Sequence, residues 1–318
     1  MGKELAKRKG AVPGQPRPAP TIDEVVRRFI ENLSPNTRRA YDADLRDFAA
    51  YVGQPSPLAA VVALVRDGHT ATLETVEDYK QHMKGRKLTP ATVNRRLSAL
   101  RSALKVCRMR GLIDWSIEVK GLRHKTYKDT AGPGEDVFRR MLAVAGPRDR
   151  AILRLLHDLG LRRGEVVSLD LEHLDLGKRT LSIMGKGRDE RDTVTVPRPT
   201  GKAVAEWLAV RGGEPGPLFT SGRPGFKGRR LTGSGVLQIV AKLGRAVGAD
   251  NVRPHGIRHT AITRVLELTQ NVAAATAFAR HASPQTTFRY VDNLNDLAGK
   301  AAETLAESVN NVHENSGQ

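Results

Sequence analysis

The chain has 318 residues, enough for two domains, and 39% of them are hydrophobic, enough for packed cores. Its 52 Lys and Arg stand against 34 Asp and Glu, and the net charge of +18 suits a polyanionic partner, foremost nucleic acid. No apolar run is long enough to cross a bilayer and no secretory leader pattern opens the chain, so the expectation is a cytoplasmic, nucleoid-associated protein without a membrane partner.

Residues 1–20 are basic and rich in Pro and Gly and read as a flexible arm. From Thr21 to about residue 115 four helical patterns follow. Thr21 precedes Asp23 and Glu24 as an N-cap; after Ser34 and Pro35, Tyr41, Leu45, Phe48 and Tyr51 recur on one face; a third helix is expected from Thr72, with Val76 and Tyr79 inward; Thr89 caps a fourth that ends at Gly111. The lone cysteine, Cys107, cannot form an internal disulfide or a cysteine-zinc cluster, and its helical spacing from Leu100 and Leu104 makes it a core residue. The domain carries many cations, among them Arg38, Arg39, Lys87, Arg95, Arg96 and Arg101. Singly each fits an ordinary solvated face; together they favour a phosphate-binding surface. Residues 116–134, with Lys120, Arg123 and Lys125, read as a basic linker able to lie along a DNA backbone.

A second domain is expected over residues 135–293. Two helical patterns lead to a hairpin, in which the alternating TLSIMGKG and RDTVTVP flank a turn; further helices follow. The last, from Arg253 to Tyr290, reads as a single helical stretch holding His255, Arg258, His281 and Tyr290. Guanidiniums grip non-bridging phosphate oxygens, imidazoles hydrogen-bond them, and a phenol can attack phosphorus, so these residue types suit phosphodiester chemistry. No GxxxxGK[ST] loop, HExxH or metal-spaced acidic cluster occurs, so no metal and no cofactor is expected.

In these motifs the chain resembles the tyrosine recombinase (phage integrase) family, over nearly its whole length. The resemblance implies a mainly α protein: a four-helix, SAM-like core-binding domain, then a mixed, mostly helical catalytic domain with a small antiparallel sheet. Gly160-Leu161-Arg162-Arg163-Gly164-Glu165 matches the element that supplies the first catalytic arginine, giving that role to Arg162 and a supporting carboxylate to Glu165. Lys186 matches the hairpin lysine, His255 and Arg258 the His-x-x-Arg box, His281 the later histidine and Tyr290 the nucleophile. Two departures stand out. Arg163 follows Arg162 directly, leaving open which enters the site, with Arg162 favoured by its spacing to Glu165. Arg280 replaces the usual glycine before His281, a change expected to leave activity intact while altering the fit around that ring. His259 is expected to pack or cap rather than catalyse.

The resemblance further implies site-specific cutting and rejoining of double-stranded DNA by a 3′-phosphotyrosyl intermediate and a Holliday junction. The two lobes would clamp a duplex, and a homotetramer would join two sites, with room for an accessory DNA-bending protein. Residues 294–318, with Leu294, Leu297, Ala301, Leu305 and Val309 at helical spacing, form a C-terminal helix and tail expected to dock on a neighbouring protomer, its own domain being the alternative. Each motif alone fits a bland role: an i,i+3 ion pair, a basic turn, a half-buried aromatic. Their joint order carries the reading against two rivals, a type IB topoisomerase and a DNA-binding architectural protein with a silent site.

Overall fold

A computed structural model of the chain describes residues 20–123, 132–185 and 190–291, with the single positions 299, 302, 303 and 306. The basic arm apart from Pro20, Lys125, Lys186 and nearly all of the C-terminal helix therefore lie outside the described residues. The chain divides into two compact units, residues 1–125 and 126–318.

The first unit holds α1 (Ile22–Glu31), α2 (Pro35–Tyr51), α3 (Pro57–Gly85) and α4 (Pro90–Met109). Local chemistry sets the starts. Thr21 and Glu24 form a reciprocal capping box, and Ser34, Ser56 and Thr89 each accept an N–H of the first turn ahead of a proline at the helix start. The third helix begins well before Thr72, and its path changes at Gly68, whose φ of 80° leaves the helical region. Thr72 is buried and its hydroxyl donates to the Leu64 carbonyl, so it ties the two parts of α3 together instead of capping a new helix. Phe48 and Tyr79 meet edge to face at 5.0 Å in a core that includes Leu45, Met83, Leu97 and Cys107. The expected linker starts later than its composition suggests: Ile117 and Val119 are buried in this core, and Asn94 exchanges hydrogen bonds with the backbone of Leu122.

The second unit opens with α5 (Glu135–Val144) and α6 (Pro147–Asp158), then a short α7 (Arg163–Ser168). The hairpin forms as expected, β2 (Thr180–Met184) against β3 (Arg191–Thr195), and β1 (Leu174–Asp175) adds a third strand in the order β1-β2-β3, antiparallel throughout. Leu181 and Ile183 point into the core while their neighbours do not, the period-2 pattern of a sheet packed on one face. Helices α8 (Arg198–Arg211), α9 (Gly233–Ala246), α10 (Pro254–Thr269), α11 (Val272–Ala279) and α12 (Pro284–Val291) follow among the described residues. The core gathers around α6, whose Ile152, Leu153, Leu155 and Leu156 are all buried. The stretch from Arg253 to Tyr290 is three helices, not one. Gln270 and Arg280 both adopt left-handed backbone, φ 51°, which ends α10 and α11, and Asn271 caps α11 through the N–H groups of Ala273 and Ala274. Two reversals in this stretch fold its ends back on one another. No helix of the described residues is long and apolar enough to cross a membrane.

Candidate active site

The site is assembled on one carboxylate. Glu165, in the first turn of α7, is buried; one of its oxygens accepts the Arg162 guanidinium at 2.7 Å, the other the Arg162 backbone N–H at 2.8 Å. The second oxygen also accepts the guanidinium of Arg280 at 3.1 Å. Burial alone would raise the Glu165 carboxyl, but these N–H groups and both cations outweigh it and hold it ionised. Arg163, by contrast, is exposed and lies against Gly233, so Arg162 is the arginine that enters the cluster.

Arg258, in the first turns of α10, is 2% exposed, and its guanidinium donates to the carbonyls of Gly160 and Ala279. Loss of water, then the nearby guanidiniums of Arg162 and Arg280, bring its pKa down to about 10, and it stays charged. Two of its five N–H donors are engaged by those carbonyls. Gly160, with φ 53°, supplies its carbonyl from a turn packed so closely that a Cβ would meet the Phe278 ring at 2.9 Å.

Tyr290, on α12, is buried with its ring 4.6 Å from His259 and 6.1 Å from His281. His281 Nδ1 and Thr276 Oγ1 each lie 2.9 Å from the hydroxyl of the fully buried Thr287, which fixes the imidazole. Desolvation, then Arg258, Arg162 and Arg280, bring the pKa of His281 down to about 4, so its ring is neutral near neutral pH. His255 protrudes from the start of α10; desolvation of its ring, then Arg258 and Arg162, lower its pKa too. A neutral imidazole can accept a proton. His259 is buried and packs on Tyr290.

Arg162, Glu165, Arg258, His255, His281 and Tyr290 thus come from three helices and two turns into a single neighbourhood. Lys186, on the hairpin turn, lies outside the described residues. The sequence does not announce the engagement of Arg280 with Glu165, a tertiary contact across 115 residues, nor the part of Thr287, whose contacts depend on the reversal between α11 and α12. A basic loop adds to these: exposed Phe226 lies within 5.7 Å of the Arg223 guanidinium and 5.6 Å of that of Arg229. Its signal was available, as RPGFKGRR interleaves four cations with an aromatic.

In the first unit the cations have different surroundings. Arg39, Lys87, Lys120 and Arg123 are exposed. Arg38 donates to the carbonyls of Ile30 and Glu31, closing the end of α1, and Arg101 reaches the carbonyls of Leu97 and Val119. Arg95 makes a two-armed pair with buried Asp44 at 2.8 and 2.7 Å. Arg96 is largely buried and is committed to Asp47 and Asp44, an internal ion network that leaves it little surface to offer DNA. Among the described residues Asp170, Glu172 and His173 bring possible metal-ligand atoms within 4.8 Å. Asp170 already binds Arg230, and His173 Nδ1 accepts the Asp170 N–H at 2.9 Å, so those donors are engaged.

A helical unit followed by a mixed unit with cations gathered around a tyrosine defines a class of phosphodiester-cutting proteins. Residues 134–296 match the phage integrase family, and residues 29–111 match the phage integrase N-terminal SAM-like domain. Among curated relatives, a tyrosine recombinase of Synechococcus elongatus is 36% identical over 91% of this chain and 95% of its own. One from Synechocystis is 31% identical over 90% and 94%. The chain belongs to the phage integrase family, the tyrosine recombinases, enzymes that break and rejoin DNA. Solved structures share the fold at lower identity. The Tn1549 transposon integrase in complex with transposon right end DNA superposes with a TM-score of 0.68 at 17% identity, over 90% of this chain and 99% of that one. The XerH recombinase bound to a palindromic difH substrate gives 0.62 at 16%, over 88% and 94%.

Proposed function

We propose that this recombinase exchanges strands between two duplex sites with Tyr290 as its nucleophile, passing through a 3′-phosphotyrosyl intermediate and a Holliday junction. The packing of the Tyr290 ring between His259 and His281, beside Arg258, carries this reading. An unperturbed phenol has a pKa of about 10, so a proton acceptor must assist its attack. His255, neutral and protruding, takes that proton. The phenolic oxygen bonds to phosphorus while the bond to the 5′ oxygen breaks, and Arg162 and Arg258 bind the non-bridging oxygens where charge builds. Glu165 orients Arg162, and His281 donates a further hydrogen bond. Lys186 is the proton donor to the departing 5′ oxygen, a role that rests on the family motif. The phosphotyrosyl bond conserves the energy for rejoining, so the chemistry calls for no nucleotide cofactor, and the arginines supply the positive charge that a metal would otherwise bring.

Four protomers acting on two sites, the C-terminal helix docking on a neighbour, and exposed Arg39, Lys87, Lys120 and Arg123 tracking the DNA backbone complete the proposal; Lys125 belongs with them by its place in the sequence. An accessory DNA-bending protein and a nucleoid location are compatible with it. The test is a nicked duplex that loses its terminal fragment on cleavage: the parent accumulates a covalent protein–DNA adduct and Tyr290→Phe forms none. An adduct in Tyr290→Phe sinks the assignment, and a plasmid carrying paired sites separates recombination from simple relaxation.

A further inference from the structure

Arg280 has no role in the chemistry set out above, yet its surroundings are those of a working residue. Its left-handed backbone, φ 51°, strains a side chain with a Cβ in a way that glycine avoids. The side chain is 10% exposed, and although its buried Nε has no hydrogen-bond partner, both terminal nitrogens are engaged. Nη1 donates to the carbonyls of Leu159 at 3.0 Å and Phe278 at 3.3 Å; Nη2 donates to the carbonyl of Gly160 at 3.3 Å and to Glu165 at 3.1 Å. Two of these acceptors are shared: the Gly160 carbonyl also binds Arg258, and Glu165 also binds Arg162.

We propose that Arg280 is a positioning residue for strand cleavage, fixing the two acceptors that aim Arg162 and Arg258 at the phosphate. The inference rests on the reading that those two arginines bind the scissile phosphate. A carboxylate facing one arginine tends to take it in a two-armed fork. Here the second oxygen of Glu165 is occupied by Arg280 and by the Arg162 backbone N–H, so the Arg162 guanidinium meets Glu165 through Nη1 alone. The rest of its fork is left for phosphate. On the other side, Arg280 pins the turn whose Gly160 carbonyl holds Arg258. Without it, Arg162 closes onto Glu165 and the turn loosens under Arg258.

The experiment is single-turnover cleavage of the nicked duplex at saturating DNA by the full-length chain, its Arg280→Gly and Arg280→Lys variants, and each combined with Glu165→Gln. Arg280→Gly relaxes the backbone but removes four hydrogen bonds and one partner of buried Glu165, so its melting temperature is expected to fall; assayed well below that temperature, it binds DNA as the parent does while cleaving about 10- to 100-fold more slowly. Arg280→Lys, which keeps the charge on a single donor nitrogen, recovers part of the rate. Because Arg280 acts through Glu165, removing both costs less than the product of the single losses. Parental cleavage by Arg280→Gly overturns the proposal. So does a loss that only tracks a lower melting temperature, that lysine does not relieve, or that multiplies independently with Glu165→Gln. If the parent itself forms no Tyr290-dependent adduct, the functional reading fails, and the proposal with it; if the parent does and Arg280→Gly is indifferent, only the proposal fails.

Discussion

His259 lies against Tyr290, ring to ring at 4.6 Å and tilted by 39°, and so forms one wall of the tyrosine's slot. A buried ring removed from such a wall leaves space into which the nucleophile can shift. His259→Ala is expected to destabilise the second unit by about 1–3 kcal/mol and to slow adduct formation about tenfold or more, through misplacement of the phenol. His259→Phe keeps the wall and should keep most of the rate. Equal losses in the two variants would mean that the imidazole itself takes part in chemistry.

The ion network of the first unit separates folding from binding. Arg96→Ala removes a guanidinium from Asp44, whose side chain is 1% exposed, and from Asp47. The expected cost is about 2 kcal/mol or more in chemical unfolding. Arg39→Ala and Lys120→Ala change stability by less than about 0.5 kcal/mol but weaken DNA binding and lower its salt dependence by roughly one ion each. Unchanged salt slopes would place these two residues off the DNA path.

Acid should weaken the fold in a set order. His281 has its pKa lowered from an ordinary 6.5 to about 4, and His255 and His259 are lowered as well. Below pH 6.5 the unfolded chain takes up protons that the folded chain refuses, so stability present above that pH is lost progressively down to about pH 4. Glu165 and Asp158, whose carboxyls are held low, add their loss only as pH falls through and below the ordinary carboxyl range. In urea unfolding between pH 6.5 and pH 4, His281→Gln should show a shallower decline than the parent. Parallel declines would contradict the depressed imidazole.

Gly132 and Gly134 look alike in the sequence and should behave differently. A Cβ on Gly132 would collide with the Gly256 carbonyl oxygen and Thr260 Oγ1 on α10, while nothing lies near Gly134. Gly132→Ala is expected to cost about 1–3 kcal/mol and to disturb the turn that presents His255, visible as a lower melting temperature and slower cleavage. Gly134→Ala should leave both nearly unchanged.

The sequence was most legible where local chemistry decides. The caps at Thr21 and Thr89 and the alternation of Leu181 and Ile183 are short-range signals, and each element formed around them. The motif residues from Arg162 to Tyr290 were found by pattern, and five of the six proposed to contact the phosphate are described together. Left-handed breaks at Gln270 and Arg280 were not legible, since neither residue is one that usually signals a reversal. Nor was the burial of Ile117 and Val119 in a stretch whose cations read as a linker: two apolar side chains at alternate positions are too few to announce a packed edge. Arg96 was misplaced among surface cations because its partners Asp44 and Asp47 lie on another helix.

Cys107 sits wholly inside the first unit, and burial pushes its thiol up from the ordinary range. It is also the only sulfhydryl in the chain. A thiol reagent added to the folded recombinase therefore has nothing to modify until that helical unit opens, and the labelling rate becomes a clock for the opening. Run with and without a duplex, the same clock reports how tightly DNA closes the unit, with no engineered probe.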